Sequence, residues 1–149
     1  MRTLERADRA LEEGKLWQAK EILEGSLPNH GYDPQLYERL GIVLLRMGDL
    51  PRAGMFLFLS GVRKDAYREP IEIYKQRYSA GDGNRLRSTF PRNARLASLS
   101  EYPEPIASEL RGLGLKREHH SGRLKWLAIA ALVIGLLVAG IVKVLEFLR

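Results

Sequence analysis

The sequence predicts an all-α protein, a short array of helical hairpins with a capping helix, followed by a single apolar helix. Three observations carry this. Similar residues recur 34 positions apart, proline and aspartate bracket the starts of amphipathic segments, and 17 consecutive residues near the C-terminus carry no charge. The composition narrows the classes further. The chain has 149 residues, no cysteine, 45% hydrophobic residues and 24 Lys+Arg against 18 Asp+Glu, a net charge of +6. Without cysteine there is no disulfide scaffold, thiolate metal site or cysteine nucleophile.

The first helix is expected near residues 2–13 and the second near 16–27, where Trp17, Ile22, Leu23 and Leu27 form the apolar set. Asp33 as N-cap and Pro34 in the first helical position open the third, which buries Leu36, Leu40, Val43 and Leu44 and ends at Gly48. The fourth begins near Leu50, with Pro51 tolerated in its first turn. It contains Met55-Phe56-Leu57-Phe58-Leu59, apolar on every side, so a later segment must fold back to cover it. A fifth helix starting at Pro70, with Ile71, Ile73, Tyr74 and Tyr78, is the expected cover. Residues 80–84 read as a turn cluster, Leu86, Phe90, Leu96 and Leu99 as one or two short helices, and Pro105 as the opening of a helix over Ile106–Leu113. The expected divisions are a helical domain over 1–79, accessory short helices over 80–113, a polar connector over 114–122 and the apolar helix over 123–149.

The recurrence is specific in its residues. Gly14 and Gly48, Ala19 and Ala53, Leu23 and Leu57, and Ser26 and Ser60 are pairs 34 apart. The stretch Tyr37-x-x-Leu40-Gly41-x-x-Leu44, then Gly48, Ala53 and Leu57, resembles the tetratricopeptide (TPR) pattern, with Tyr where that family prefers Trp and Leu where it prefers Tyr. Residues before Asp33 form a weaker copy, and both lack the closing proline. The resemblance implies two repeats plus a capping helix. It also implies a partner-binding concave face built from the first helix of each repeat: Leu4, Asp8, Leu11 and Glu12, then Glu38, Ile42, Leu45 and Arg46. That groove is either open to an apolar segment or closed by the chain's own C-terminal helices. Residues 1–115 are also loosely similar to small bacterial TPR-like proteins, a resemblance that brings no activity with it.

Trp126 to Val142 reads WLAIAALVIGLLVAGIV. As a helix this spans about 25 Å, and a snorkelling Lys143 with Val144, Leu145 and Leu148 extends it toward the roughly 30 Å of a hydrocarbon core. Lys116, Arg117, Arg123 and Lys125 precede it, whereas Lys143 and Arg149 follow it with Glu146 opposed, so the N-terminal domain is expected on the cytoplasmic side of a single-pass membrane protein. Arginine outnumbers lysine, the balance of a GC-rich bacterial genome, which makes a bacterial inner membrane the expected location. Ala131, Gly135 and Ala139 lie on one helix face and would let a second helix approach closely, giving a homo- or hetero-oligomer in the bilayer.

Chemistry is sparse. Gly81-x-Gly83 lacks the residues of a phosphate loop, Ser60-Gly61 is no nucleophile elbow, and His119-His120 has no third ligand nearby, so no catalytic residue, cofactor or metal is expected. The excess of basic over acidic residues is local to residues 51–100, much of it in Arg85, Arg87, Arg92 and Arg95. With Lys116, Arg117, Arg123 and Lys125 these arginines form a candidate surface for anionic lipid or an acidic partner, or simply a solvated face. Nucleic acid is disfavoured because Phe90 is the lone interleaved aromatic. The expected function is a non-catalytic, membrane-anchored adaptor that binds a partner protein and holds it at the bilayer. The alternative is an integral structural subunit of a larger membrane complex, assembled through the apolar helix.

Overall fold

The computed structural model describes residues 2–115. They belong to one compact unit spanning residues 1–117. The described residues form seven α-helices, α1 (Arg2–Glu12), α2 (Leu16–Ser26), α3 (Pro34–Arg46), α4 (Leu50–Ser60), α5 (Asp65–Tyr78), α6 (Gly83–Ser88) and α7 (Glu104–Gly112), with 3-10 turns at Leu27–Asn29, Arg92–Ala94 and Leu99–Glu101. No strand occurs among the described residues. None of these helices is long and apolar enough to cross a membrane, and the apolar run 126–142 lies outside the described residues.

Each boundary has a local cause. The Asp33 carboxylate accepts from the Gln35 and Leu36 amides at 3.0 and 3.3 Å, and Pro34 needs no donor at the first helical position. The Asp49 carboxylate does the same for α4, accepting from the Arg52 amide at 3.2 Å. Between paired helices Gly14 and Gly48 take φ of +71° and +80°, the left-handed conformation that closes a helix, and the residue after each donates back to Ala10 and to Leu44 respectively.

The 34-residue spacing is therefore also a geometric repeat. Ala19 and Ala53, and Leu23 and Leu57, are all fully buried, and Ser26 and Ser60 each donate to the carbonyl three residues earlier at 2.7 Å. Sequential packing of α1 on α2, α2 on α3, α3 on α4 and α4 on α5 alternates the chain direction. The turns at Gly14, Gly48 and Gly81 consequently lie at one end of the unit, here called the turn rim. The opposite rim is tied separately: Asn93 donates to the carbonyls of Leu27, His30 and Gly31, the Tyr32 hydroxyl donates to the Leu59 carbonyl at 2.6 Å, and Pro103 packs close to Gly61.

Two expectations are corrected. The fifth helix begins at Asp65, not Pro70, and Pro70 sits buried inside it. Trp17, expected in the apolar set of α2, is 64% exposed. It lies six residues from Leu23, about 120° round the helix, so it cannot share the buried stripe of Ala19, Leu23 and Ser26. Its ring lies beneath the Lys20 ammonium, 4.2 Å from the centroid.

Phe56 to Leu59 are all buried. Their cover is α5 together with residues 86–106, which contribute Leu86, Phe90, Ala94, Leu99, Tyr102 and Ile106 to the same core. Phe58 stands at the centre of this junction, with its ring 6.1 Å from Tyr74 and 5.9 Å from Phe90. Both outer sides of the array are polar. Leu40, Val43 and Phe56 are buried in the second hairpin, whereas their counterparts 34 residues earlier are the exposed Arg6 and Arg9 and the half-buried Ile22. At the far side α7 turns Glu104, Ser108 and Arg111 outward.

Candidate partner-binding face

The first helices of the hairpins, α1 and α3, carry the residues expected to meet a partner, and the structure divides them into two kinds. Leu4 and Leu11 on α1, and Ile42 and Leu45 on α3, are half-buried, each resting on the core while leaving part of its side chain in solvent. Spacings of seven on α1 and three on α3 align these pairs along their helices.

The charged members are mostly spoken for. Asp8 receives Arg39 Nε at 3.1 Å, which laces α1 to α3. Glu38 accepts from Lys64 Nζ at 2.7 Å and from the Tyr67 hydroxyl at 2.9 Å, which laces α3 to α5. The hydrogen bond from Lys64 holds the Glu38 carboxyl below the usual carboxylate range, and the same bond raises the Lys64 ammonium. Glu12 and Arg46 remain exposed and make no ion pair among the described residues. The face is thus an apolar row with one acidic and one basic residue at its margin, fixed by internal ion pairs.

Two of the four described arginines of the candidate basic surface are engaged with the backbone. Arg95 Nε donates to the Phe90 carbonyl at 2.9 Å and its terminal nitrogen to the Ser88 carbonyl at 2.8 Å, while Arg87 donates to the Leu96 carbonyl. Both brace the segment from the end of α6 to Leu96, which contains the second 3-10 turn. Tyr102 completes that brace, donating to the Ala94 carbonyl at 2.6 Å and accepting from the Leu96 amide at 3.0 Å. Arg85 and Arg92 are exposed and free of ion pairs among the described residues. Lys116, Arg117, Arg123, Lys125, Ala131, Gly135 and Ala139 lie outside the described residues.

Glu109 on α7 receives both Arg63 Nε and Lys75 Nζ at 2.9 Å, clasping α7 to α5 and the preceding loop. Nothing in the sequence marks this residue, because its partners lie 46 and 34 positions away. Beside it is a recess of about 130 Å³ lined by Arg63, Lys64, Arg68, Ile71 and Glu72, and a second of about 180 Å³ is lined by Arg6, Arg9, Glu13, Gln18 and Ile22. Both are smaller than the roughly 300–1,000 Å³ that encloses an organic cofactor. Among the described residues no cluster of His, Cys, Asp or Glu could hold a metal ion.

A family model described as a family of unknown function (DUF6584) covers residues 1–105, and its span includes the whole of the face described above. No curated protein and no solved structure matches the chain.

Proposed function

The chain belongs to that family, and we propose that it is a non-catalytic adaptor whose TPR-like helical head binds a partner protein while the apolar run 126–142 holds the complex at a membrane. The observation that carries the reading is the half-exposed row Leu4, Leu11, Ile42 and Leu45 on the first helices. The polar contacts of residues 80–115 support an open row. Among the described residues they run to Leu27, His30 and Gly31, to Arg63 and Lys75, and to Tyr74, none of which belongs to the row. An extended or helical segment with apolar residues at matching steps fits it. The tether raises the local concentration of the bound protein, so modest affinity suffices.

The test uses the full chain in native membranes. Leu45→Glu, checked for native helix content by circular dichroism, is expected to abolish co-purification of the partner in mild detergent while the variant still floats with membranes. A partner retained by Leu45→Glu and by Ile42→Glu removes the face from the reading. A chain that fails to float removes the anchor. Replacing 126–142 by an unrelated membrane helix is expected to preserve partner capture. Loss of capture would favour instead a subunit assembled through Ala131, Gly135 and Ala139.

A further inference from the structure

Trp17 and Met47 are the exposed large hydrophobic residues among those described, at 64% and 38% exposure. They come from different hairpins, yet both sit at the turn rim. Trp17 is the second residue of α2, three positions past Gly14, and Met47 immediately precedes Gly48. Trp17 also leans toward that rim, because helical side chains tilt toward the N-terminus of their helix. The half-buried Leu50 and Pro51 adjoin Met47 on the same rim.

The chain leaves the unit at this rim as well. The Gly83 amide, two residues past the Gly81 turn, donates to the Leu113 carbonyl at 2.9 Å. A Cβ on Gly83 would stand 3.0 Å from that of Leu115, which is itself buried. Ten residues, 116–125, then separate Leu115 from the apolar run beginning at Trp126. Even fully extended they reach about 35 Å, so an inserted 126–142 keeps the turn rim at high local concentration beside the bilayer.

We infer that the turn rim docks on the lipid surface, with Trp17 and Met47 entering the headgroup layer. This rests on the proposed anchoring by 126–142. Tryptophan suits that depth because its ring is apolar and its indole N–H keeps a polar partner. Coulomb attraction is not the driving term. Among the described residues, Lys15, Arg46 and Arg111 share the rim with Glu12, Glu13, Asp49 and Asp82, close to neutral. The contact orients the head with α1, α3 and α5 running toward the membrane, so the Leu4–Leu45 row stands upright from the surface and stays open on its side.

The test places the full chain in phosphatidylcholine vesicles with about a fifth phosphatidylglycerol, carrying a brominated-lipid quencher. In Trp126→Phe, Trp17 is the sole tryptophan, and its emission is expected to shift to the blue and to lose intensity to the quencher. The chain has no cysteine, so Met47→Cys and Asn29→Cys take a single environment-sensitive fluorophore each. The Met47 label is expected to be quenched, and the Asn29 label, on the opposite rim, to report water. Salt at about 0.5 M, where screening acts within roughly 4 Å, is expected to leave the quenching unchanged. A chain that floats with the vesicles while Trp17 and the Met47 label behave like the Asn29 label overturns the inference and leaves the anchor standing. Quenching that disappears in salt overturns it too, by making the contact electrostatic. A chain that does not float overturns the anchor and this inference together.

Discussion

Adding one methyl group at Gly54 measures how closely α4 and α5 are pressed together. A Cβ there would lie 1.9 Å from the Pro70 carbonyl oxygen, 2.6 Å from its carbon and 2.8 Å from the Tyr74 Cβ. Two of these are backbone atoms, so no rotamer change relieves the contact. Restoring a normal separation from the oxygen moves α5 by more than about 1 Å, which disturbs the buried Ile71 and Tyr74 and the Phe58 ring beside them. Such overpacking costs about 3 kcal/mol, the upper end of the usual range, and the gain in helix propensity from Gly to Ala returns about 1 kcal/mol. Gly54→Ala is therefore expected to lower stability by about 2 kcal/mol, roughly 8 °C in the thermal midpoint. Gly25, in α2, has nothing within 4 Å of its Cβ position and ordinary helical backbone. Gly25→Ala is expected to raise stability by about 0.5 kcal/mol. Gly41→Ala should fall between them, since its Cβ would meet mainly the Leu57 side chain at 2.6 and 2.7 Å, which can turn away in part. Thermal unfolding followed by circular dichroism of the full chain in detergent reads all three. Shifts of the same sign and size at Gly54 and Gly25 would refute the argument, because propensity alone would then explain both.

Two further outcomes can be checked by the same unfolding measurements. The Glu38 carboxyl is depressed in the folded protein, so its contribution is whole above the unfolded value of about 4.3 and is lost as the pH falls through the lower folded value. The Lys64 ammonium is raised, so its share is whole below about 10.4 and is lost as the pH climbs through the higher folded value. Glu38→Gln is accordingly expected to flatten the acid limb of the denaturation midpoint below about pH 4.3, and an unchanged limb would mean the ion pair is not formed in solution. Tyr102→Phe removes a donor to the Ala94 carbonyl and an acceptor for the Leu96 amide, and is expected to cost about 1–2 kcal/mol. Amide exchange should also quicken across residues 94–102, whereas exchange in α1 and α2 stays as it was.

The hairpin array was legible because its determinants repeat as residue types. Glycine at 14 and 48, alanine at 19 and 53 and leucine at 23 and 57 occupy matching backbone conformations and matching burial. The continuation beyond α4 was hidden by substitution within the same plan. Gly81 repeats the Gly48 turn with the same φ of +80°, Asp82 caps α6 as Asp49 caps α4, and Leu86 and Phe90 are buried where Ala53 and Leu57 are. The spacing there is 33, the apolar residues are larger, and Pro91 stops α6 at six residues, so no signature survives in the sequence. Pro70 misled for a related reason. A proline normally opens a helix or breaks one, yet here α5 runs on through Pro70, and Gly54 lets α4 approach its carbonyl closely. At the first-helix face the residues came from the TPR resemblance, and Leu4, Leu11, Ile42 and Leu45 are half-buried there. The roles of Asp8 and Glu38 did not come from it, since Arg39 and Lys64 reach them from neighbouring helices.

Among the described residues, the charged outer side of α1 and the polar outer side of α7 offer no apolar seam at which another array could be added. If 126–142 inserts as proposed, many copies on one membrane would then stand as separate heads and not as growing fibres.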